Sequence, residues 1–195
     1  MEELQNIIIR AKALKQRKDI KEAIRILKEA HDIGVKNNAV EDLVDIHNQL
    51  ILLHYQNNDA DSFSKSYNFA RTLAAKINYN RGLVETYMNM AWVETDSENF
   101  IEAVTHATQA LSIDEILENS SAFTTCLYVI SEANFKIGDT KMGEKYQKLY
   151  QRKVMELTSS EEEMLRSIEG LGQGMTKEED LDSRVRQALD ELDSF

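Results

Sequence analysis

Few residues of this chain have the types and spacing that chemistry requires. His47 and His54 stand seven positions apart and would share one face of a helix, but a metal also needs ligands at i+3 or i+4, and none is convincingly placed. His31 and His106 stand alone on other segments. Cys126 lies among apolar residues without a His and Asp to activate it, so we expect a buried, inert thiol. The sequence predicts no catalytic residue, no metal and no cofactor.

The acidic clusters at 161–163 and 178–180 are typical of helix starts, where carboxylates favour the helix dipole. The glycines at 170, 172 and 174 follow no strand, so they do not form a phosphate-binding loop. The formal net charge is −11. Residues 159–195 include eleven acidic and four basic residues, so much of this negative charge lies there. Direct nucleic-acid binding needs a basic face, which this sequence lacks.

The start of the chain and its single cysteine bear on location. Glu2 and Glu3 follow Met1, and no basic segment or apolar run approaching 18 residues resembles a signal or a membrane span. One cysteine excludes an internal disulfide and fits a reducing compartment. We therefore expect a cytoplasmic protein without membrane contact.

The elements that would position a site recur every 40 residues. Polar turns recur at Asp19, Asp59, Asn99 and Asp139. Small residues recur in the same register, at Ala23 and Ala103 and at Ala30, Ala70 and Ala110. The chain has no proline, so little prevents long helices. A period of this length predicts an all-α solenoid, in which stacked helical hairpins share one core.

The helical periodicity predicts the domain organisation. Four repeats are expected at about 4–38, 39–78, 80–118 and 120–158, with Gly34 ending the second helix. A capping helix follows at 159–174, since Ser160 and Glu163 have capping-box spacing. Beyond the glycines, residues 175–195 are expected to form a hinged, acidic amphipathic helix.

Two stretches of the third repeat carry a family resemblance. Tyr87 to Trp92, YMNMAW, and Asn99 to Ala103, NFIEA, resemble the motifs of the tetratricopeptide repeat (TPR) family, in its longer bacterial-type variant of about 40 residues. The resemblance covers residues 4–158 and implies a right-handed α-solenoid of about four helix-turn-helix repeats. Ile51 and Ser131 depart from the family's small residues.

In such a solenoid the first helix of each hairpin lines a concave groove. The candidate partner-binding residues are Lys12, Lys15, Asn48, Tyr55, Met88, Asn89, Trp92, Thr95, Tyr128, Glu132 and Phe135. Aromatic residues and methionine offer contact area, and asparagine can hold a peptide backbone, which makes Asn89 the strongest candidate. The alternative is that Met88 and the aromatic residues only pack against neighbouring helices.

The groove does not match the family's carboxylate clamp. Lys12 and Asn89 agree in type with clamp residues, whereas Leu52 and Glu132 do not. We therefore predict a non-catalytic scaffold or adaptor that binds a protein or peptide segment, in signalling, regulation or chaperone-type work.

An alternative function is self-association into a homodimer, or autoregulation, through the apolar stripe of the last helix, formed by Leu181, Val185, Leu189 and Leu192. A more distant alternative, a phosphatase-like regulator of a phosphorelay protein, rests on family analogy alone.

Overall fold

The computed structural model describes residues 2–113 and 121–173, and these form eight α-helices without a strand. The helices are α1 (Glu2–Gln16), α2 (Ile20–Lys36), α3 (Val40–Gln56), α4 (Ala60–Lys76), α5 (Asn80–Asp96), α6 (Phe100–Leu111), α7 (Ser121–Ile137) and α8 (Thr140–Gln173). Helices α1 to α6 pack as three antiparallel hairpins, and each hairpin packs on the next. The predicted all-α, solenoid-like fold is confirmed.

The turns between helices repeat at half the expected period. A residue with positive φ stands at Lys18, Asn38, Asn58, Asn78, Glu98 and Gly138. In each turn the next residue donates its N–H to a carbonyl five positions earlier, as Ala39 does to Gly34 at 2.9 Å. Such bonds satisfy a carbonyl that the ending helix leaves free. Turns within and between hairpins therefore share one geometry.

The four polar turn residues lie where the 40-residue period predicts. Asp19, Asp59, Asn99 and Asp139 each directly precede the second helix of a hairpin. The Asp59 carboxylate accepts from the Ser62 N–H at 3.1 Å, and Asp139 accepts from the Met142 N–H at 3.0 Å. These two bonds cap the starts of α4 and α8, whereas Asp19 and Asn99, at the same position before α2 and α6, make no side-chain capping bond.

Small buried residues allow the helices to approach one another. Ala23 and Ala30, Ala70 and Ala74, and Ala103 and Ala107 are fully buried. Three apolar clusters follow along the array, centred on α1 to α3, on α3 and α4, and on α5 to α7. The first and third clusters draw buried residues from two hairpins, and Leu83 of the next hairpin packs against the buried residues of α3 and α4, so neighbouring hairpins share their cores.

Gly34 does not end α2, as the sequence analysis expected. It lies inside the helix, and Asn38 takes the left-handed position instead. A Cβ on Gly34 would stand 2.8 Å from Leu43 Cδ2, so the glycine serves the contact between α2 and α3.

The separate capping helix predicted at 159–174 is also wrong. Helix α8 continues without a break from Thr140 to Gln173. No glycine or proline stands between Gly143 and Gly170, so nothing stops the helix, and inside it the capping-box residues have no free N–H groups to cap.

By its contacts the chain divides into residues 1–150 and residues 151–195. In the second unit the described residues are helical, and Glu156 pairs with Lys153 at 2.9 Å. The predicted hinged helix at 175–195 lies outside the described residues.

Helices α3 and α5 approach closely at Gly82, through buried polar contacts. The Gly82 carbonyl accepts from Asn48 Nδ2 at 3.0 Å and from Thr86 Oγ1 at 2.8 Å. Asn89 Nδ2 donates to the Asn48 carbonyl at 3.0 Å. A Cβ on Gly82 would stand 2.4 Å from Tyr79 Cδ1 and 2.7 Å from Val44 Cγ1, so no larger residue fits without displacing a ring or a helix.

We expect Gly82→Ala to lower the free energy of unfolding by about 1–3 kcal/mol because the new methyl group overpacks the contact. At an exposed helical site the same change stabilises by about 1 kcal/mol. Urea denaturation of Gly82→Ala and Gly34→Ala tests this, since at Gly34 the methyl meets only the aliphatic side chains of Leu43 and Ile46, the nearest atom at 2.8 Å, whereas at Gly82 it meets the Tyr79 ring at 2.4 Å. A Gly82→Ala protein at least as stable as Gly34→Ala would contradict the close approach.

Candidate functional site

A groove of about 660 Å³ opens along the first helices of three hairpins. Lys12, Lys15 and Gln16 of α1, Lys18 of the following turn and Ile20 form one wall. Asn48, Gln49, Leu52 and Gln56 of α3 form the floor, and Glu85 of α5 forms the other wall. The lining is therefore amide-rich, with cations on one side and a carboxylate on the other.

The pKa values of two charged groups in this groove are shifted toward the neutral form. The pKa of Lys15 is lowered by burial, with Glu85 opposing and Lys12 adding to the shift. The pKa of Glu85 is raised by desolvation and by Asp45, although by its accessible surface the residue is exposed. Both shifts favour the neutral forms, and the desolvation is firmer for the half-buried Lys15 than for Glu85.

A second carboxylate stands behind Glu85 and was not anticipated. Tyr79 donates to Asp45 Oδ1 at 3.2 Å. Burial and Asp45 raise the pKa of Tyr79 to about 12, so the phenol stays protonated. Asp45 and Glu85 are 40 residues apart, and this repeat-equivalence was the signal available in the sequence.

Of the predicted partner-binding residues, Lys12, Lys15 and Asn48 line the groove. Asn48 is nevertheless wholly buried and Asn89 is 7 % exposed, so the expectation that they face a partner is wrong. Their amides are used in joining α3 to α5. A polar side chain buried between helices needs hydrogen-bond partners within the protein. An asparagine exposed on the groove surface would instead be hydrated and free to bind a partner.

Three other candidates also have structural roles. The Tyr55 hydroxyl donates to Asp96 Oδ2 at 2.7 Å and so ties the end of α3 to the end of α5. Met88 is half-buried against the cluster of α5 to α7. Phe135 packs on Gly143, where a Cβ would stand 2.7 Å from the ring. For these side chains the alternative of helix packing is the better description.

Trp92 on α5 and Tyr128 on α7 remain exposed, at 44 % and 42 %. Helices α5 and α7 pack together, and the Tyr128 ring lies 5.7 Å from the ring of Tyr150. Glu132, half-buried, is the repeat-equivalent of Trp92. The first helices therefore present a second, aromatic region in addition to the lysine-lined groove.

Cys126 has the expected environment. It is 2 % exposed, and burial raises the pKa of its thiol to about 12. A protonated, buried thiol is a poor nucleophile. Within the described residues, no group of three His, Cys, Asp or Glu side chains is arranged to hold a metal ion. In that part of the chain no helix combines the length and apolar character needed to cross a bilayer.

Two histidines that looked unrelated in the sequence are in contact. His47 Nε2 of α3 lies 3.1 Å from His31 Nδ1 of α2, and Phe69 of α4 stacks on His47 with ring centroids 4.0 Å apart. The two residues stand eight positions before and eight after Ala39, in the turn between antiparallel helices. Because the two residues are equally distant from the turn, they lie side by side on the antiparallel helices. Their contact could have been predicted from this spacing.

The fold and groove define an all-α array of helical hairpins with a surface along its first helices. No protein-family model matches the sequence, and no curated protein matches it either. A solved structure of similar fold is the crystal structure of BtubC (BKLC) from P. vanneervenii, with a TM-score of 0.67 and 14 % identity. The alignment covers 80 % of this chain but 64 % of that protein, so the chain spans just under two thirds of its length. At this identity the likeness shows the fold alone.

The half-buried His47 makes stability depend on pH. Burial, with repulsion from His31 and His54, lowers the pKa of His47 from 6.5 to about 4. Between these values the unfolded chain binds a proton that the folded chain does not, so the free energy of unfolding falls as the pH falls. We expect His47 to contribute a loss of about 1 kcal/mol between pH 7.5 and pH 5.5.

Urea denaturation of the wild type and His47→Gln at both pH values measures this contribution. The variant should lose less stability on acidification, whatever its stability at pH 7.5. An identical loss in both proteins would show that His47 does not titrate differently on unfolding.

Proposed function

We propose that the protein is a non-catalytic scaffold or adaptor of tetratricopeptide type, which binds a protein or peptide segment along the first helices of its hairpins. The proposal includes a cytoplasmic location, motivated by the single cysteine and the composition. It assigns the partner to the groove of Lys12, Lys15 and Glu85 and to the neighbouring exposed aromatic side chains.

The observation that carries the proposal is the groove itself. Its 660 Å³ lie on three consecutive first helices, so an extended segment can contact several hairpins at once. Amide side chains such as Gln49 and Gln56 both donate and accept, as binding of a peptide backbone requires.

The exposed aromatic residues supply the second support. Trp92 and Tyr128 are large side chains left in solvent on helices whose other faces are packed. Aromatic side chains with a polar edge are the usual anchors of protein interfaces. The Lys12 to Glu85 groove would fix the register of the segment, and the aromatic side chains would contribute affinity.

A photo-crosslinking amino acid placed at Gln49 tests the site and captures the partner in the same experiment. Gln49 lines the groove, whereas Ile101 on α6 is 65 % exposed and does not line it. We expect position 49, and not position 101, to capture a protein in cells, which mass spectrometry then identifies. Equal capture at both positions would indicate contact without a specific site.

The captured partner allows the residues to be tested. We expect Trp92→Ala to weaken binding by roughly tenfold or more, as loss of an aromatic anchor does. Lys12→Glu should weaken binding more at low salt than at high salt. Ile101→Ala and Lys21→Glu are the matched controls, because both residues are exposed on second helices. Affinity unchanged in the groove variants but reduced in the controls would place the partner elsewhere.

A further inference from the structure

The contact between His31 and His47 joins two hairpins through imidazole nitrogen atoms. One ring nitrogen must donate and the other accept across their 3.1 Å separation. The rings are nearly perpendicular, at 82°. Phe69 stacks on His47 and meets His31 edge-on, with centroids 5.6 Å apart, so both rings are held by packing.

The nitrogen separation matches that of two ligands on one metal ion. Two imidazole nitrogen atoms at about 2.0–2.1 Å from a common ion are roughly 3.3 Å apart in tetrahedral and roughly 2.9 Å apart in right-angled geometry. The observed 3.1 Å lies between these values. We propose that His31 and His47 form a two-histidine site for a divalent transition metal such as Zn²⁺ or Ni²⁺, which bridges α2 and α3.

The surroundings provide access for the ion. A pocket of about 400 Å³ reaches both rings, and its lining includes Asp32 and Ser62, so water can fill the remaining coordination positions. When Nε2 binds the ion, the ring proton of His47 lies on Nδ1, which is buried without a hydrogen-bond partner, so this tautomer leaves a buried donor unpaired and lowers the affinity of the site.

Metal binding requires one proton to move but none to be released. In the metal-free pair the donating ring carries a proton on the nitrogen that faces the other ring. When the ion takes that position, the proton moves through solvent to the other nitrogen of the same ring. Both imidazoles stay neutral, and water completes the coordination. Lys28 and Lys65 also line the pocket and oppose the cation, although Lys65 is paired with Asp61 at 2.6 Å.

Isothermal titration of Zn²⁺ and Ni²⁺ into the metal-free full chain, and into single and double His→Gln variants, tests the site. We expect His31→Gln and His47→Gln each to weaken binding by roughly tenfold or more, and the double variant to add little, because both ligands act as one site. His106→Gln is the matched control, since its Nδ1 is also buried and unpartnered but no second histidine faces it.

Several outcomes would overturn the proposal. Affinity equal in wild type and double variant would assign the metal to carboxylates, of which the chain has 34. An equal loss in His106→Gln would show a general effect of removing histidines.

X-ray absorption of the zinc-loaded wild type covers the case in which a variant fails to fold. We expect two imidazole ligands at about 2.0–2.1 Å. All four histidines of the chain lie among the described residues. A shell of oxygen atoms without imidazole would overturn the proposal.

Discussion

The close approach of α3 and α5 at Gly82 is the constraint on which the groove depends. Gly82 has no side chain, so Tyr79 and Val44 can occupy the space beside it and the Asn48 amide can reach its carbonyl. A buried polar group without a partner destabilises a fold, whereas here Asn48, Thr86 and Asn89 all form hydrogen bonds. The bonds fix the level at which α5 stands beside α3, and with it the position of Glu85 opposite α1.

The array of helical hairpins could be predicted from the sequence because particular positions of each repeat require particular residue types. Short polar side chains cap helix starts at Asp59 and Asp139, and alanines allow close packing, so both recur every 40 residues. The 20-residue spacing of the turns was missed although Asn38, Asn58 and Asn78 hold the left-handed position at that spacing, because Lys18 and Glu98 occupy it in two other turns. Asparagine and glycine favour this position, so the three asparagines were a signal available in the sequence.

The residues of the candidate site were harder to predict, because a shift of one position along a helix rotates the side-chain direction by about 100° around the helix axis. Asn89 follows the position equivalent to Asn48 by one residue, and its true equivalent is Gln49. Gln49 lines the groove, whereas Asn89 is buried beside α3. To predict a contact between two helices, such as that of His31 with His47, one must also know which residues of the two helices lie side by side. For antiparallel neighbours these residues are equally distant from the turn, so the pair is found by comparing positions on both sides of Ala39.

The charges of the groove give it a direction. Lys15 and Glu85 stand on opposite walls, and incomplete hydration shifts the pKa of each toward its neutral form. A bound segment with a carboxylate near α1 and a hydrogen-bond donor near Glu85 would give both Lys15 and Glu85 a partner. The same segment bound in the opposite direction would place its carboxylate near Glu85, where the like charges repel. Since the chain as a whole carries −11, the lysines of α1 also attract an acidic segment against the general repulsion. If a peptide binds in this groove as proposed, the polarity of the groove would favour one orientation of that peptide over the reverse.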